Sequence, residues 1–88
     1  MRKTLKSWNS NLVTFLSGNN TVLVSNPREM IILQQKLANI GLLLKDMYKG
    51  KPIAIEYENS KGFSFYDDIQ KSVEWYGEDP LKIDDLEF

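Results

Sequence analysis

NPREMIILQQKLANIGLLLKDMYKG, residues 26–50, decides how the rest of the chain must be arranged. Asn26 offers a side-chain oxygen to cap a helix, Pro27 fits the first helical position, and Glu29 follows the cap in capping-box spacing. At the other end Lys45 and Lys49 suit the negative pole of the helix dipole, Gly50 suits a left-handed C′ position, and Pro52 blocks continuation. Between those signals Met30, Leu33, Leu37, Ile40, Leu44 and Met47 recur at spacings of three and four, one stripe of a single helix. Gly41 falls on that stripe. A mid-helix glycine costs about 1 kcal/mol against alanine, so a strand is expected to pass close to it. Ile31, Ala38 and Leu42 flank one side of the stripe, and Ile32 and Leu43 flank the other. A helix this apolar needs cover on more than one side, and a homodimer interface through Ile31, Ala38, Leu42, Ile32 and Leu43 is the expected source.

Outward from the helix, Leu12 to Ser17 and Thr21 to Ser25 are rich in Val, Leu, Thr and Phe, with Gly18-Asn19-Asn20 between them, which reads as a hairpin. Thr4 to Trp8 offers a weaker strand before it. After the helix, Ile53, Ile55 and Tyr57 alternate with Ala54, Glu56 and Glu58. Asn59-Ser60-Lys61-Gly62 then turns the chain into Phe63 to Tyr66, a second hairpin. Residues 67–76 fit two patterns. Ile69, Val73 and Tyr76 suit a helix capped by Asp67 or Asp68, but the Val, Trp and Tyr content favours a turn followed by a strand from Ser72 to Tyr76. Leu81 to Phe88 reads as an acidic tail or a short edge strand. The expected fold is α+β: an antiparallel sheet of two short meanders with one central amphipathic helix on one face, forming a single domain over residues 1–88.

Composition narrows the chemistry. The chain has no cysteine and no histidine, which removes disulfides, thiolate nucleophiles, the commonest general base and the commonest metal ligand. No serine sits in a nucleophile motif and the five glycines are scattered singly, so neither acyl-transfer nor phosphate-loop signatures are present. The pairs Asp67-Asp68 and Asp84-Asp85 lie outside any calcium-loop pattern and read as solvated turn acids. No enzyme activity, cofactor or metal is expected. Arg2, Lys3 and Lys6 resemble the start of a signal peptide, but Ser7, Asn9, Ser10 and Asn11 follow where an apolar run is needed. No stretch approaches the roughly 18 apolar residues of a membrane span. A soluble, cytoplasmic protein with no membrane partner is the expectation.

Charge is distributed unevenly. Residues 1–51 hold eight basic side chains against two acidic ones, net +6, and residues 67–88 hold eight acids against Lys71 and Lys82, net −6. Tyr66, Asp67, Asp68, Glu74, Trp75, Tyr76, Glu78 and Asp79 gather aromatics and carboxylates within fourteen positions. Aromatics anchor protein interfaces and carboxylates steer toward basic surfaces, so this segment is the candidate partner-binding site. At the other end Arg2, Lys3 and Lys6 beside Trp8 and Phe15 could meet nucleic acid, although a pI near 5.3 argues against it. Small size, an acidic end and the absence of Cys, His and catalytic signatures are similar to accessory proteins of phages and mobile elements, including anti-CRISPR inhibitors of host nucleases. That resemblance is one of composition and size. It implies a non-enzymatic inhibitor that docks its acidic, aromatic surface on a nucleic-acid-handling protein. The alternatives are a nucleic-acid-binding accessory protein acting through the basic end and an assembly protein built on the apolar helix.

Overall fold

In the computed structural model, which describes residues 8–88, the helix begun at Asn26 spans Pro27–Ala38 rather than running to Gly50. Its start is as the sequence specifies. The Asn26 side chain accepts from Glu29 N at 2.9 Å, and the Glu29 carboxylate accepts from Ser25 N at 2.7 Å. Its end is set by Gly41, whose φ of +86° is left-handed. Gly41 N donates to Ala38 O and Leu42 N to Leu37 O, the paired bonds of a Schellman turn. A Cβ at Gly41 would meet nothing within 4 Å among the described residues, so no described strand passes close, and the glycine is there for its φ. The 3–4 spacing continued past this stop because Leu44, beyond the helix, still reaches the core and is only 4% exposed. The segment after Gly41 is fixed to the helix region by Gln34 Nε2 donating to Leu44 O and by the Tyr48 hydroxyl donating to Ser25 O.

The elements in order are α1 (Ser10–Leu16), β1 (Val22–Val24), α2 (Pro27–Ala38), β2 (Ile53–Glu58), β3 (Gly62–Tyr66), α3 (Ile69–Tyr76) and β4 (Leu81–Lys82), followed by a 3₁₀ turn at Ile83–Asp85. The first expected hairpin is not formed, because residues 10–16 are helical. Asn9 caps that helix at Leu12 N, the buried Leu12 and Phe15 lie three apart on one face, and Gly18 closes it at φ +76°. Val13 and Thr14, which suggested a strand, lie off the buried face. The expected strand at Thr4 to Trp8 falls almost wholly outside the described residues.

The sheet order is β3-β2-β1-β4, and the sheet is mixed, not antiparallel throughout. β1 and β2 pair antiparallel with Val22 opposite Ile55 and Val24 opposite Ile53, the β2–β3 hairpin forms as expected, and β4 joins β1 in parallel. Alternation sends Val22, Val24, Ile53 and Ile55 to one face, where they share a core with Leu12, Phe15, Met30, Leu33 and Leu37 of α1 and α2. Ile83 and Leu86 join that core, so the carboxyl end is not a free tail. It is held by Asn9, whose backbone N–H donates to Glu87 O and whose side chain accepts from Glu87 N. The opposite face carries Leu23, Ala54, Glu56, Ser64 and Tyr66, and α3 packs against its β2 and β3 part.

Candidate functional site

The acidic, aromatic segment is a helix, not the expected strand. Asp68 caps α3 by accepting from Gln70 N at 3.0 Å, and Gly77 ends it at φ +76°. The helical alternative for residues 67–76 was visible in the spacing of Ile69, Val73 and Tyr76. Valine and aromatics can occupy a helix when tertiary packing outweighs their strand preference, and here packing comes from the sheet.

Two polar networks dock α3. Ser72 is fully buried, and its hydroxyl meets that of Thr21 at 2.8 Å. The Tyr76 hydroxyl donates to one oxygen of Glu56 while the Ser64 hydroxyl donates to the other at 2.8 Å. Tyr66 meets Tyr76 edge-on with ring centroids 6.3 Å apart. Burial first, then the hydrogen bond and charge of Glu56, raise the Tyr76 pKa well above its ordinary value. Burial and the same carboxylate raise that of Tyr66. Both phenols therefore stay neutral into the alkaline range.

Beyond α3 the chain is clamped by Asn20, a fully buried side chain that composition and spacing did not single out. Its amide donates to Glu78 Oε1 at 2.8 Å and to Asp79 O at 2.9 Å, and its Oδ1 accepts from Thr21 N at 2.7 Å. Each donor and acceptor of that side chain is used, as a buried amide requires.

The eight candidate residues thus divide by role. Asp68 caps, Glu78 anchors Asn20, and Tyr66 and Tyr76 dock the helix. Asp67, Glu74, Trp75 and Asp79 remain exposed, and Trp75 is 75% exposed. Lys71 stands one turn before Trp75. Among the described residues none of these carboxylates lies within ion-pair distance of a Lys or Arg. The second candidate group is dispersed: Ile31 is 52% exposed and Ala38 exposed on α2, Ile32 packs against the core, and Leu42 and Leu43 lie beyond the helix, Leu43 at 87% exposure. They do not form two flanks of one helix.

A concavity of about 420 Å³ opens between residues 41–47 and the β2–β3 hairpin, lined by Leu42, Met47, Tyr57 and Phe63 with Lys45 and Lys61 beside them. Among the described residues no group of three or more acidic side chains is placed to hold a metal ion. No described helix is long and apolar enough to cross a membrane. Arg2, Lys3 and Lys6 lie outside the described residues. Compared with family models, curated proteins and solved structures, the chain matches none. The functional reading rests on its own residues.

Proposed function

We propose that this chain is a small non-enzymatic binding protein that docks the outer surface of α3 on a protein partner with a basic recognition surface. The observation that carries the reading is Trp75, a large aromatic held 75% exposed on a helix whose inward side chains are fixed by Ser72 and Tyr76. An exposed tryptophan on a rigid element suits an interface anchor, because little conformational entropy remains to be lost on binding. Asp67, Glu74 and Asp79 surround it in sequence with carboxylates that have no internal ion pair among the described residues. A basic surface would satisfy them and speed encounter. A nucleic-acid-handling enzyme, as in the resemblance to phage accessory inhibitors, presents such a surface.

The test is a photo-crosslinking residue placed at Trp75 and, separately, at Ile31 on α2, in lysate of the native host. The proposal expects one protein captured through position 75, with yield falling as salt rises, and no such capture through position 31. Equal capture from both positions contradicts it. So does absence of capture together with a salt-dependent gel shift of DNA or RNA, which would move the function to the basic amino-terminal end.

A further inference from the structure

Among the described residues the sheet has two edges, and they differ. β4 presents two residues and β3 presents five. A free edge is a row of unpaired backbone donors and acceptors that proteins ordinarily blunt with charge, proline or a bulge. β3 reads Gly62-Phe63-Ser64-Phe65-Tyr66, without a charge or a proline. It pairs residue for residue with β2, so no bulge interrupts it. Phe65 is 41% exposed there.

The flanking residues make this edge complementary to itself. Residues 61–67 are Lys-Gly-Phe-Ser-Phe-Tyr-Asp. Laid antiparallel against a second copy about Ser64, they set Lys61 opposite Asp67, Gly62 opposite Tyr66, Phe63 opposite Phe65 and Ser64 opposite Ser64. Each unlike pair occurs twice. Cross-strand aromatic pairs and opposite charges both stabilise such ladders, and a tyrosine ring over a cross-strand glycine covers backbone that glycine leaves bare. A two-fold at Phe63 or Phe65 instead would put Lys61 or Asp67 against a phenylalanine.

We propose that two copies associate by antiparallel pairing of β3 about Ser64, extending the sheet from four strands to eight. The contact uses the same edge on both copies and leaves, among the described residues, only the two-residue β4 edges free, so it closes at a dimer and does not propagate. The two-fold stands perpendicular to the sheet, which puts both α3 helices on the same side of the dimer. This contact does not involve the candidate residues of α2.

Lys61, Ser64 and Asp67 are all exposed, and the bonds of Lys61 to Glu58 and of Ser64 to Glu56 lie on the surface of β2, so each can be changed without opening the apolar core. Sedimentation equilibrium from about 1 to about 100 μM should show a dimer of the unaltered chain. Ser64→Lys places like charges across the two-fold and should raise the dimer Kd at least about 5-fold. Lys61→Asp alone and Asp67→Lys alone should each weaken the dimer, and the double variant Lys61→Asp/Asp67→Lys should restore it, because the swap rebuilds the unlike pairs. Circular dichroism of each variant checks that the monomer fold is retained. A monomer throughout that range overturns the proposal. So does a dimer that Ser64→Lys leaves intact, or a double variant no better than the singles.

Discussion

Asn20→Ala should be among the most damaging single polar substitutions in this chain, because one buried amide ties two backbone groups and one carboxylate together. The variant removes the donors to Glu78 Oε1 and Asp79 O and strips Thr21 N–H of its acceptor, at a position of zero exposure. Glu78 can turn to water. The buried Thr21 N–H has no such outlet, and an unsatisfied buried donor costs about 1 to 3 kcal/mol. With the lost bonds to the 78–79 segment, the total is about 2 to 4 kcal/mol. For an 88-residue chain that is a large share of an expected stability of roughly 4 to 13 kcal/mol. Thermal unfolding followed by far-UV circular dichroism should show the Tm falling by on the order of 15 °C. Asn19→Ala, at the exposed neighbouring position, should stay within about 0.5 kcal/mol of the parent. Asn20→Asp gives a signed check. It keeps the acceptor for Thr21 but sets a second carboxylate against Glu78, so its deficit relative to the parent should be largest at neutral pH and shrink in acid as the repulsion is lost. An Asn20→Ala variant as stable as Asn19→Ala would refute the reasoning.

Three further outcomes follow from the fold. Tyr76 and Tyr66 have pKa values raised in the folded state, so their contribution to stability should be intact below pH 10 and be lost as pH rises above the unfolded tyrosine value. Tyr76→Phe should flatten that alkaline decline in a pH series of urea midpoints. Gly41→Ala should destabilise by about 1 kcal/mol in the same assay despite open space around the position, because alanine resists the left-handed φ of the Schellman turn. Dialysis against a chelator should leave the Tm unchanged. A substantial drop would mean that an aspartate pair binds a cation.

The legible parts of this fold were those whose signals are local. The Asn26 cap, the β2–β3 hairpin and the helical spacing of Met30, Leu33 and Leu37 are all written within a few residues of where they act. The misread parts share a cause. At residues 10–16 and 69–76, Val, Thr, Trp and Tyr have strand preferences that two polar caps and a few buried contacts outweigh. Asn9 and Asp68 were the signals for those helices, each three or four residues before a buried side chain. Gly41 shows the same conflict in reverse, since apolar spacing continued through a glycine that ends the helix. The candidate residues could be picked out as a segment, but the contacts that divide them were not legible. Only the fold reveals that Glu78 answers to Asn20 and Tyr76 to Glu56, partners 58 and 20 residues apart. The parallel β1–β4 pairing was equally hidden, because a two-residue strand has no periodicity to read.

In the proposed function Trp75 holds a partner and the carboxylates around it bring the partner in. The most direct measurement is association and dissociation kinetics of the protein captured through position 75. Trp75→Ala is compared with the triple variant Asp67→Asn, Glu74→Gln, Asp79→Asn, which spares the capping and clamping acids. Trp75→Ala should speed dissociation by roughly 30-fold, the effect of losing a hot-spot aromatic worth about 2 kcal/mol, with association nearly unchanged. The triple variant should slow association several-fold at low salt, with the difference vanishing as salt screens the charges. Kinetics unaffected by either variant, or binding abolished instead by neutralising Arg2, Lys3 and Lys6, would contradict the account.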